Sequence, residues 1–355
     1  MTVARRGCRR VGDAVQLVPA VLGLAQFYLV RAELRTRREL AEELLEFAER
    51  EQSGAGLAVA HWLLANTSFH LGDPAVAHEH ARQRDLALRQ SPGPASQLFP
   101  KDFGVYALCY EASIVWLLGY PERAERANDG ACGLAREQAH PFSEVIGLIH
   151  GALVHQYRRE PDSCREAAER ALAIAREQGF THYVLFATLL RGWALVKHGQ
   201  VHEGIALLRE GLAGMRETGA DLRRPYFLTM MAEAQGHGGD VDQGLAALDE
   251  AMAVSERTGE RWGEAEQHRM RGELLLRHVN PDEAGAEASF RTALAVAQRQ
   301  QARSLELRAA VSLGRLWQAR GKREDARRLV AEVYGRMTEG LDTPDLRDAQ
   351  DLVRA

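Results

Sequence analysis

Histidine, cysteine and acidic side chains are the residues that could hold a metal or carry out catalysis in this sequence. The chain has 13 His and 4 Cys, but it contains no HExxH motif and no CxxC pair, the spacings typical of zinc and redox sites. His78 and His80 are two residues apart on a predicted helix, so they point to different faces. The carboxylates follow helix faces beside Arg, as solvated i,i+4 pairs do. We therefore expect no metal, no cofactor, no catalytic residues and no enzymatic activity.

Phosphate and nucleic-acid binding are also not indicated. The Gly-rich stretch Gly236–Asp240 lacks the Lys of a GxxxxGK[ST] phosphate loop and follows a helical pattern instead of a strand. Basic runs such as Arg35–Arg38 are interrupted by acidic residues within one helical turn, which is typical of a solvated face. The formal net charge is −4, which argues against a general phosphate-binding surface. We expect no nucleic-acid partner.

The composition favours a helical globular protein. Hydrophobic residues make up 46% and charged residues 26% of the 355 positions, 55 residues are Ala, and aromatic residues are only 6%. The apolar run 14–30 follows four Arg and has the appearance of a signal anchor, but Gln16, Pro19 and Gln26 interrupt it. We predict that this run is a core helix, that the protein has no membrane segment, and that it is cytoplasmic with reduced thiols.

A repeat with a period of about 40 residues predicts the fold. Small residues recur at intervals of 40, 47, 40, 40, 40, 40 and 42 residues, at Ala25, Ala65, Ala112, Ala152, Gly192, Ala232, Gly272 and Gly314. A second small residue lies twelve positions after all but the first of these, where Arg37 stands instead. A turn separates the two small positions, and Gly179, Gly219 and Gly259 follow at a fixed distance as candidate helix C-caps. Two helices that cross where both carry small residues can pack closely, which predicts a helical hairpin in each repeat.

The predicted fold is an all-α, right-handed αα-superhelix of about eight helical hairpins over residues 14–340, in which each repeat contacts only its neighbours. Segment 1–13 is predicted to be the remnant of a preceding repeat helix, 91–102 a loop, and 341–355 a C-terminal capping segment with a short helix. The first helices of the hairpins (A helices) are predicted at about 17–31, 55–71, 103–118, 141–158, 180–197, 221–236, 260–277 and 302–319. The second helices (B helices) are predicted at about 35–51, 74–90, 121–137, 162–178, 201–218, 241–258, 283–299 and 322–338.

The small-turn-small spacing resembles the tetratricopeptide repeat, with about six extra residues per unit. The chain over roughly 14–300 also resembles the tetratricopeptide region at the C-terminal end of large bacterial signalling ATPases, some of which are fused to adenylate/guanylate cyclase or kinase modules. The stretches that carry this resemblance are Phe27–Leu34, Trp116–Pro121, Leu190–Leu195, Arg224–Phe227, Gly259–Trp262 and Arg271–Leu275. The resemblance implies a sensor or scaffold that is a fragment of a larger protein and has an ATPase or cyclase module as a partner in cis or in trans.

The resemblance also implies which residues line the inner curve of the superhelix, at offsets −6, −3, +1 and +4 from each small position. Applied here, these offsets give a groove that changes from aromatic to charged along the chain. The candidate partner-binding residues are Trp62, Asn66, Tyr106, Trp116, Trp193, Tyr226, Glu233, Glu266, Arg269, Glu273, Arg308 and Arg315. Exposed aromatic anchors suit a peptide or helix partner. The other interpretation is that the aromatic residues pack between adjacent A helices as core.

Two functions fit this pattern. The first is a non-catalytic scaffold or sensor that mediates protein–protein interaction in a bacterial signalling or regulatory system, with a protein or peptide partner in the concave groove. The alternative is a domain that senses a small effector, with a metabolite bound in the same groove.

Overall fold

The computed structural model describes residues 14–90 and 103–354, with side chains from Val18 onwards. Within these residues the chain forms seventeen helices and no strand. The helices are α1 (Ala14–Val30), α2 (Leu34–Arg50), α3 (Gly54–Leu71), α4 (Pro74–Gln90), α5 (Phe103–Leu117), α6 (Pro121–Gln138), α7 (Pro141–Tyr157), α8 (Pro161–Glu177), α9 (Thr181–Lys197), α10 (Val201–Thr218), α11 (Arg224–His237), α12 (Val241–Thr258), α13 (Glu264–Arg277), α14 (Glu283–Gln300), α15 (Arg303–Ala319), α16 (Arg323–Tyr334) and α17 (Pro344–Arg354).

Odd-numbered helices up to α15 are the A helices and their successors are the B helices, so the repeats are numbered one (α1–α2) to eight (α15–α16). The predicted all-α superhelix of about eight hairpins is therefore confirmed. The predicted remnant helix at 1–13 and the predicted loop at 91–102 lie outside the described residues. Helix α17 occupies the position at which the sequence predicts a short terminal helix.

Local sequence signals set the helix ends. Proline occupies the first helical position of α6, α7 and α8, where its missing N–H is not needed. The side chains of Asp240 and Asp282 accept hydrogen bonds from the backbone N–H groups three residues later and so cap α12 and α14. Gly219 and Gly259 end α10 and α12 with φ of 68° and 76°, the left-handed conformation predicted for them.

The hairpins close where the sequence places small residues. A Cβ added to Gly204 on α10 would lie 2.6 Å from the carbonyl oxygen of Gly192 and 3.0 Å from the backbone nitrogen of Val196, both on α9. Only Gly can occupy such a contact without moving one helix away from the other. The predicted crossing of the two small positions is therefore present in repeat five.

Arg37 replaces the small residue of repeat one and is completely buried. Its Nε donates to the carbonyl oxygen of Ala25 (3.1 Å), and its Nη1 donates to the carbonyl oxygen of Leu63 (2.9 Å) and to the hydroxyl of Thr67. Burial lowers the pKa of the guanidinium to about 10. The long side chain thus joins repeats one and two at a position where the other repeats use a small residue.

The chain contacts itself again after five repeats. The backbone N–H groups of Asp221 and Leu222 donate to the carbonyl oxygen of Val30 (3.1 and 3.2 Å), which joins repeat six to repeat one. Repeat seven meets repeat two in the same way, because the N–H of Arg261 donates to the carbonyl oxygen of His70 (2.8 Å). These bonds satisfy carbonyl groups at helix C-termini that have no partner within their own helix.

This return contact corrects two expectations. Each repeat does not contact only its neighbours, since repeats one and two are covered by repeats six and seven. Helices α11 and α13 begin at Arg224 and Glu264, three to four residues later than predicted, because the preceding residues form the turns that make the contact.

The apolar segment at 14–30 forms helix α1. In the ranges that the structure covers, no helix combines the length and the hydropathy that crossing a membrane requires. Val18, Val21 and Leu22 of α1 are buried, whereas Leu24 and Phe27 are exposed. Helix α1 therefore buries one face against α2 and α3 and leaves another apolar face open.

Candidate binding site

A cavity of about 240 Å³ opens on the inner face of the C-terminal repeats. Helices α7, α9, α11, α13, α15 and α17 and the turn after α7 contribute its lining, which is dominated by charged side chains. This charged cavity is lined by Gln156, Arg159, Trp193, Lys197, Glu233, His237, Glu266, Arg269, Met270, Glu273, Arg277, Arg308, Val311, Ser312, Arg315, Asp345 and Asp348.

Seven of the twelve predicted partner-binding residues line the charged cavity. They are Trp193, Glu233, Glu266, Arg269, Glu273, Arg308 and Arg315. The sequence offsets thus select neighbours in space from four successive A helices. The structure brings the charged members of the predicted groove together, and whether they bind a partner remains a prediction.

Ion pairs fix the acidic wall of this cavity. Glu233 accepts from the ammonium group of Lys197 and from Nε1 of Trp193 (3.1 Å). Burial of Glu233 alone would raise its pKa, but the charge and hydrogen bond of Lys197 outweigh that effect and lower the pKa to about 2. The carboxylate is therefore ionised at neutral pH.

Arg269 holds the next two acidic residues in place. Its guanidinium donates to both oxygens of Glu266 (2.9 and 2.7 Å), to Glu273 (3.0 Å) and to the hydroxyl of Ser312 (3.2 Å). Burial would lower the pKa of Arg269, but the charge of Glu266 and the bonds to it raise the pKa above its usual value. This wall is a preformed set of three carboxylates paired with two cations, Lys197 and Arg269.

The opposite wall joins repeat four to the C-terminal helix. Asp345 of α17 accepts from Nε of Arg308 (2.8 Å) and from Nη1 of Arg159 (3.1 Å). Asp348 accepts from the same Nη1 of Arg159 (2.7 Å) and lies 2.9 Å from Nη2 of Arg315. Burial of Asp345 would raise its pKa, but the charges of Arg308 and Arg159 lower it.

A second, smaller cavity of about 30 Å³ adjoins the charged cavity and shares five of its lining residues. Four aromatic side chains, Trp116, Tyr157, Tyr226 and Trp262, form much of its lining. The rings of Trp116 and Tyr157 stack with centroids 4.8 Å apart, and those of Tyr226 and Trp262 lie 4.9 Å apart. This aromatic cavity has room for little more than one small group, so it is an apolar niche beside the charged cavity.

Four of the five aromatic members of the predicted groove are core residues in this structure, and the fifth, Tyr106, is half-buried. Trp62, Trp116 and Trp193 are 4%, 3% and 2% exposed, and Tyr226 is 8% exposed. Trp62 packs beside the rings of Phe103 and Tyr106 at 5.2 and 6.3 Å. The expectation that these residues form an exposed aromatic half of a groove is thus not met. Trp62 packs between the A helices of two adjacent repeats, as in the other interpretation of the sequence, whereas Arg308 of repeat eight lies over the ring of Trp116 at 5.0 Å. Trp62, Asn66 and Tyr106 line neither cavity.

A buried polar network fills the axis where an open groove was expected. Arg223 lies over the rings of Phe69 and Trp262, its Nη1 donates to the hydroxyl of Tyr157 (2.8 Å), and its backbone N–H donates to Glu260 (2.9 Å). Glu260 also pairs with Nδ1 of His70 (3.0 Å). The network therefore connects repeats two, four, six and seven.

The protonation of His70 follows from its surroundings. Burial lowers the pKa of the imidazole to about 4, and the nearby Glu260 only partly opposes this effect. The ring is therefore neutral at pH 7. Because a carboxylate can only accept, Nδ1–H donates to Glu260, and Nε2 accepts from the hydroxyl of Tyr110 (3.1 Å).

Several lining residues were not predicted from the sequence. Gln156 lies at offset +4 of repeat four, so applying the same offsets to that repeat would have found it. Lys197 and Arg277 lie one position beyond the offsets used, at the ends of α9 and α13. Asp345 and Asp348 belong to α17, outside the repeat register, and nothing in the sequence indicates their position.

The described residues also offer no alternative metal centre. Within 14–90 and 103–354, no group of three or more His, Cys, Asp or Glu side chains is arranged to hold a metal ion. Nδ1 of His61 and Nδ1 of His80 lie 3.1 Å apart, the distance of an ordinary hydrogen bond between two rings.

Comparison with known proteins shows the fold. No family model matches the chain. An uncharacterized protein of Rhizobium meliloti (strain 1021), R02095, is 28% identical over 318 residues, which cover 88% of this chain and 30% of the relative. The chain therefore spans less than a third of the length of that curated relative.

Three solved structures are similar in fold at low sequence identity. A Rap protein complexed with competence and sporulation factor superposes with a TM-score of 0.62 at 12% identity, covering 96% of this chain and 99% of the other. The Cut9–Hcn1 structure of the APC/C gives 0.56 at 12% identity, covering 98% and 56%. A signal transduction ATPase with numerous domains from Pyrococcus horikoshii, which has a tetratricopeptide repeat sensor, gives 0.50 at 13% identity, covering 98% and 50%. The chain thus has the fold of tetratricopeptide-type repeat proteins.

Proposed function

We propose that this chain is a non-catalytic helical-repeat module that binds a peptide, or a segment of a partner protein, in the charged cavity. The observation that carries the proposal is the cavity itself, in which four A helices and α17 place paired charges around an opening beside an apolar niche. Fixed charges around an apolar pocket are the usual elements of a specific binding site.

The similar structures support this proposal by analogy. The Rap protein, which has a similar fold over almost its whole length, is complexed with competence and sporulation factor. Cut9–Hcn1 is an assembly of protein subunits. Both cases indicate that this fold is compatible with protein or peptide partners.

The finer proposal is that the chain is the sensor or scaffold arm of a larger bacterial signalling protein of the ATPase or cyclase type. The greater length of the Rhizobium relative and the repeat sensor of the Pyrococcus ATPase support it. The DNA that flanks the coding region tests this proposal directly. An adjoining region that encodes an ATPase or cyclase module is expected, and an unrelated neighbour would count against it.

Two arginines provide a matched test of the site. The side chains of Arg315, on the cavity, and Arg327, on the outer helix α16, are both 54% exposed, and each lies 2.9 Å from one acidic partner. Short random peptides would be selected against the purified chain and their Kd measured by calorimetry. We expect Arg315→Glu to weaken the selected peptides about tenfold, and Arg327→Glu to change Kd less than about twofold.

Equal effects of the two reversals would show that the peptides bind elsewhere. The size of the charged cavity, near the lower end of small-molecule sites, also favours a second candidate function, the sensing of a small effector. A screen of metabolites by thermal shift separates the two functions. A saturable rise in Tm with a metabolite, together with no selectable peptide, would replace the first function by the second.

A further inference from the structure

The charges of the charged cavity are balanced on one side and unbalanced on the other. On the side formed by α9, α11 and α13, the basic residues are Lys197, Arg269 and Arg277, and they are matched by three acidic residues. On the side formed by α15, α17 and the turn after α7, three arginines face only Asp345 and Asp348. One positive charge is therefore in excess on the second side.

The excess is concentrated on the two exposed arginines of that side. Arg159 and Arg315 have side chains that are 45% and 54% exposed, whereas Arg308 is 11% exposed and also binds the carbonyl oxygen of Tyr157. A guanidinium carries five N–H donors. Among the described residues, Arg159 and Arg315 each pair with acidic groups through a single terminal nitrogen. Both side chains line the charged cavity.

Arginine donors of this kind match a carboxylate, because its two oxygens can accept from a planar fork. The carboxylate of Asp348 already lies between Arg159 and Arg315. A carboxylate brought by a ligand would supply the negative charge that this side lacks.

The neighbouring aromatic cavity indicates that the carboxylate belongs to a chain instead of a free anion. It shares Gln156, Arg308 and Met270 with the charged cavity, so one extended segment can reach both. A small free anion would leave the apolar niche empty.

We propose that the bound segment presents a carboxylate, from Asp, Glu or a chain terminus, to Arg159 and Arg315, and places a small apolar side chain in the aromatic cavity. This inference rests on the proposed function and adds the chemistry of the partner. Peptides selected against the chain should therefore share an acidic position close to a small apolar position.

The test is a double-mutant cycle between the peptide and Arg315. The probe is a selected peptide and its Glu→Gln (or Asp→Asn) counterpart, measured by calorimetry against the full chain, Arg315→Gln and the control Arg327→Gln. In the full chain and in the control, loss of the peptide carboxylate should weaken binding about tenfold. In Arg315→Gln the same loss should cost only about threefold, since part of the interaction is already gone.

The inference is overturned if loss of the peptide carboxylate raises Kd by the same factor in all three proteins, or if the selected peptides carry no acidic position. It is also overturned if free succinate or inorganic phosphate binds as tightly as the peptide, because a free anion would then suffice. These outcomes differ from failure of the proposed function, in which Arg315→Glu and Arg327→Glu leave peptide binding equally unchanged or no peptide is selected. Melting of each variant confirms that the fold is retained.

Discussion

Repeats two to four and repeats six to eight use equivalent inner positions of their A helices in opposite ways. In the first region these positions carry Trp62 and Trp116, which are buried, and Tyr106, which is half-buried against the core. In the second region they carry Glu266, Arg269 and Arg315, which line the charged cavity. The difference arises because the first region packs against both its neighbouring repeats and the returning repeats, whereas the charged side chains of the second region remain at a cavity that α17 borders on one side.

The comparison shows that the position of a residue within one repeat does not determine its exposure. At offset +1, Asn66 of repeat two is 1% exposed, whereas the side chain of Arg315 in repeat eight is 54% exposed. Stability should therefore depend mainly on the covered region, and binding on the open one.

The largest effect is expected from Glu260, which holds together the buried network between the covered region and the returning repeats. Glu260→Ala removes the acceptor of His70 Nδ1, the backbone N–H of Arg223 and Trp262 Nε1. The loss leaves the buried guanidinium of Arg223 with less compensating negative charge nearby. It should lower the free energy of unfolding by about 3–5 kcal/mol. Glu273→Ala in the charged cavity should lower the free energy of unfolding by about 1 kcal/mol or less, because Arg269 keeps its ion pair with Glu266.

Urea denaturation of both variants measures these costs. Equal destabilisation by the two substitutions would contradict the division into a covered and an open region. Glu260→Gln is the control for shape, and it should lie between Glu260→Ala and the original chain because the amide oxygen can still accept one bond.

The second prediction uses pH to weaken the covered region selectively. The pKa of His70 is about 4 in the folded chain and about 6.5 in an unfolded one, so only the unfolded chain takes up this proton as pH falls from about 6.5 to about 4. Stability should be complete above pH 6.5 and decrease by roughly 3 kcal/mol as pH falls to 4. Burial also lowers the pKa of His150, which acts in the same direction.

The open region responds in a lower pH window. The pKa of Glu233 is lowered to about 2, so the stability that this carboxylate contributes is present above its unfolded pKa and is lost only as pH falls towards 2. The urea midpoint of denaturation should therefore decrease from pH 7 to pH 6 and again to pH 5. Over the same range, Kd for a peptide should stay within about twofold of its value at pH 7, as long as the chain is folded. His70→Gln should flatten the pH dependence of stability. A midpoint that is constant between pH 7 and 5 would contradict the burial of a neutral His70.

The third prediction concerns the helix crossing of repeat five, which lies between the two regions. Ala at Gly204 would place a Cβ against the backbone of α9 and should destabilise the chain by about 1–3 kcal/mol. Gly133 on α6 has no atom within 4 Å of an added Cβ, so Gly133→Ala should instead stabilise by about 0.5–1 kcal/mol through helix propensity. Opposite shifts of Tm are the expected result, and a shift in the same direction would show that the crossing is not close-packed.

Most of the fold could be predicted from the sequence because its signals are local. Small residues at the crossing, turns between them and a Gly cap after the second helix all lie within one repeat, and the helix boundaries follow from them. The late starts of α11 and α13 could not be predicted, since they depend on bonds to Val30 and His70, far away in the chain.

The site could be predicted only in its open half. The offsets found Glu233, Arg269 and Arg308 because these A helices run side by side. They misjudged the exposure of Trp62, since its ring packs against Phe103 in the A helix of the next repeat. They also missed Asp348, because a helix outside the register carries no repeat signal that gives its place.

The last prediction has the smallest effect on stability and uses salt to separate the two regions. Raising NaCl from about 0.05 to about 0.5 M shortens the screening length to a few ångströms. The exposed arginines Arg159 and Arg315 interact with a ligand through solvent-accessible groups, so Kd for an acidic peptide should rise about tenfold. The Glu260–Arg223 contacts are buried from solvent, and surface ion pairs contribute little to stability. The free energy of unfolding should therefore change by less than about 1 kcal/mol. Calorimetry and urea denaturation at both salt concentrations measure the two quantities. If salt lowers stability as strongly as it weakens binding, the covered axis is accessible to ions, and the inner face of repeats two to four is open after all.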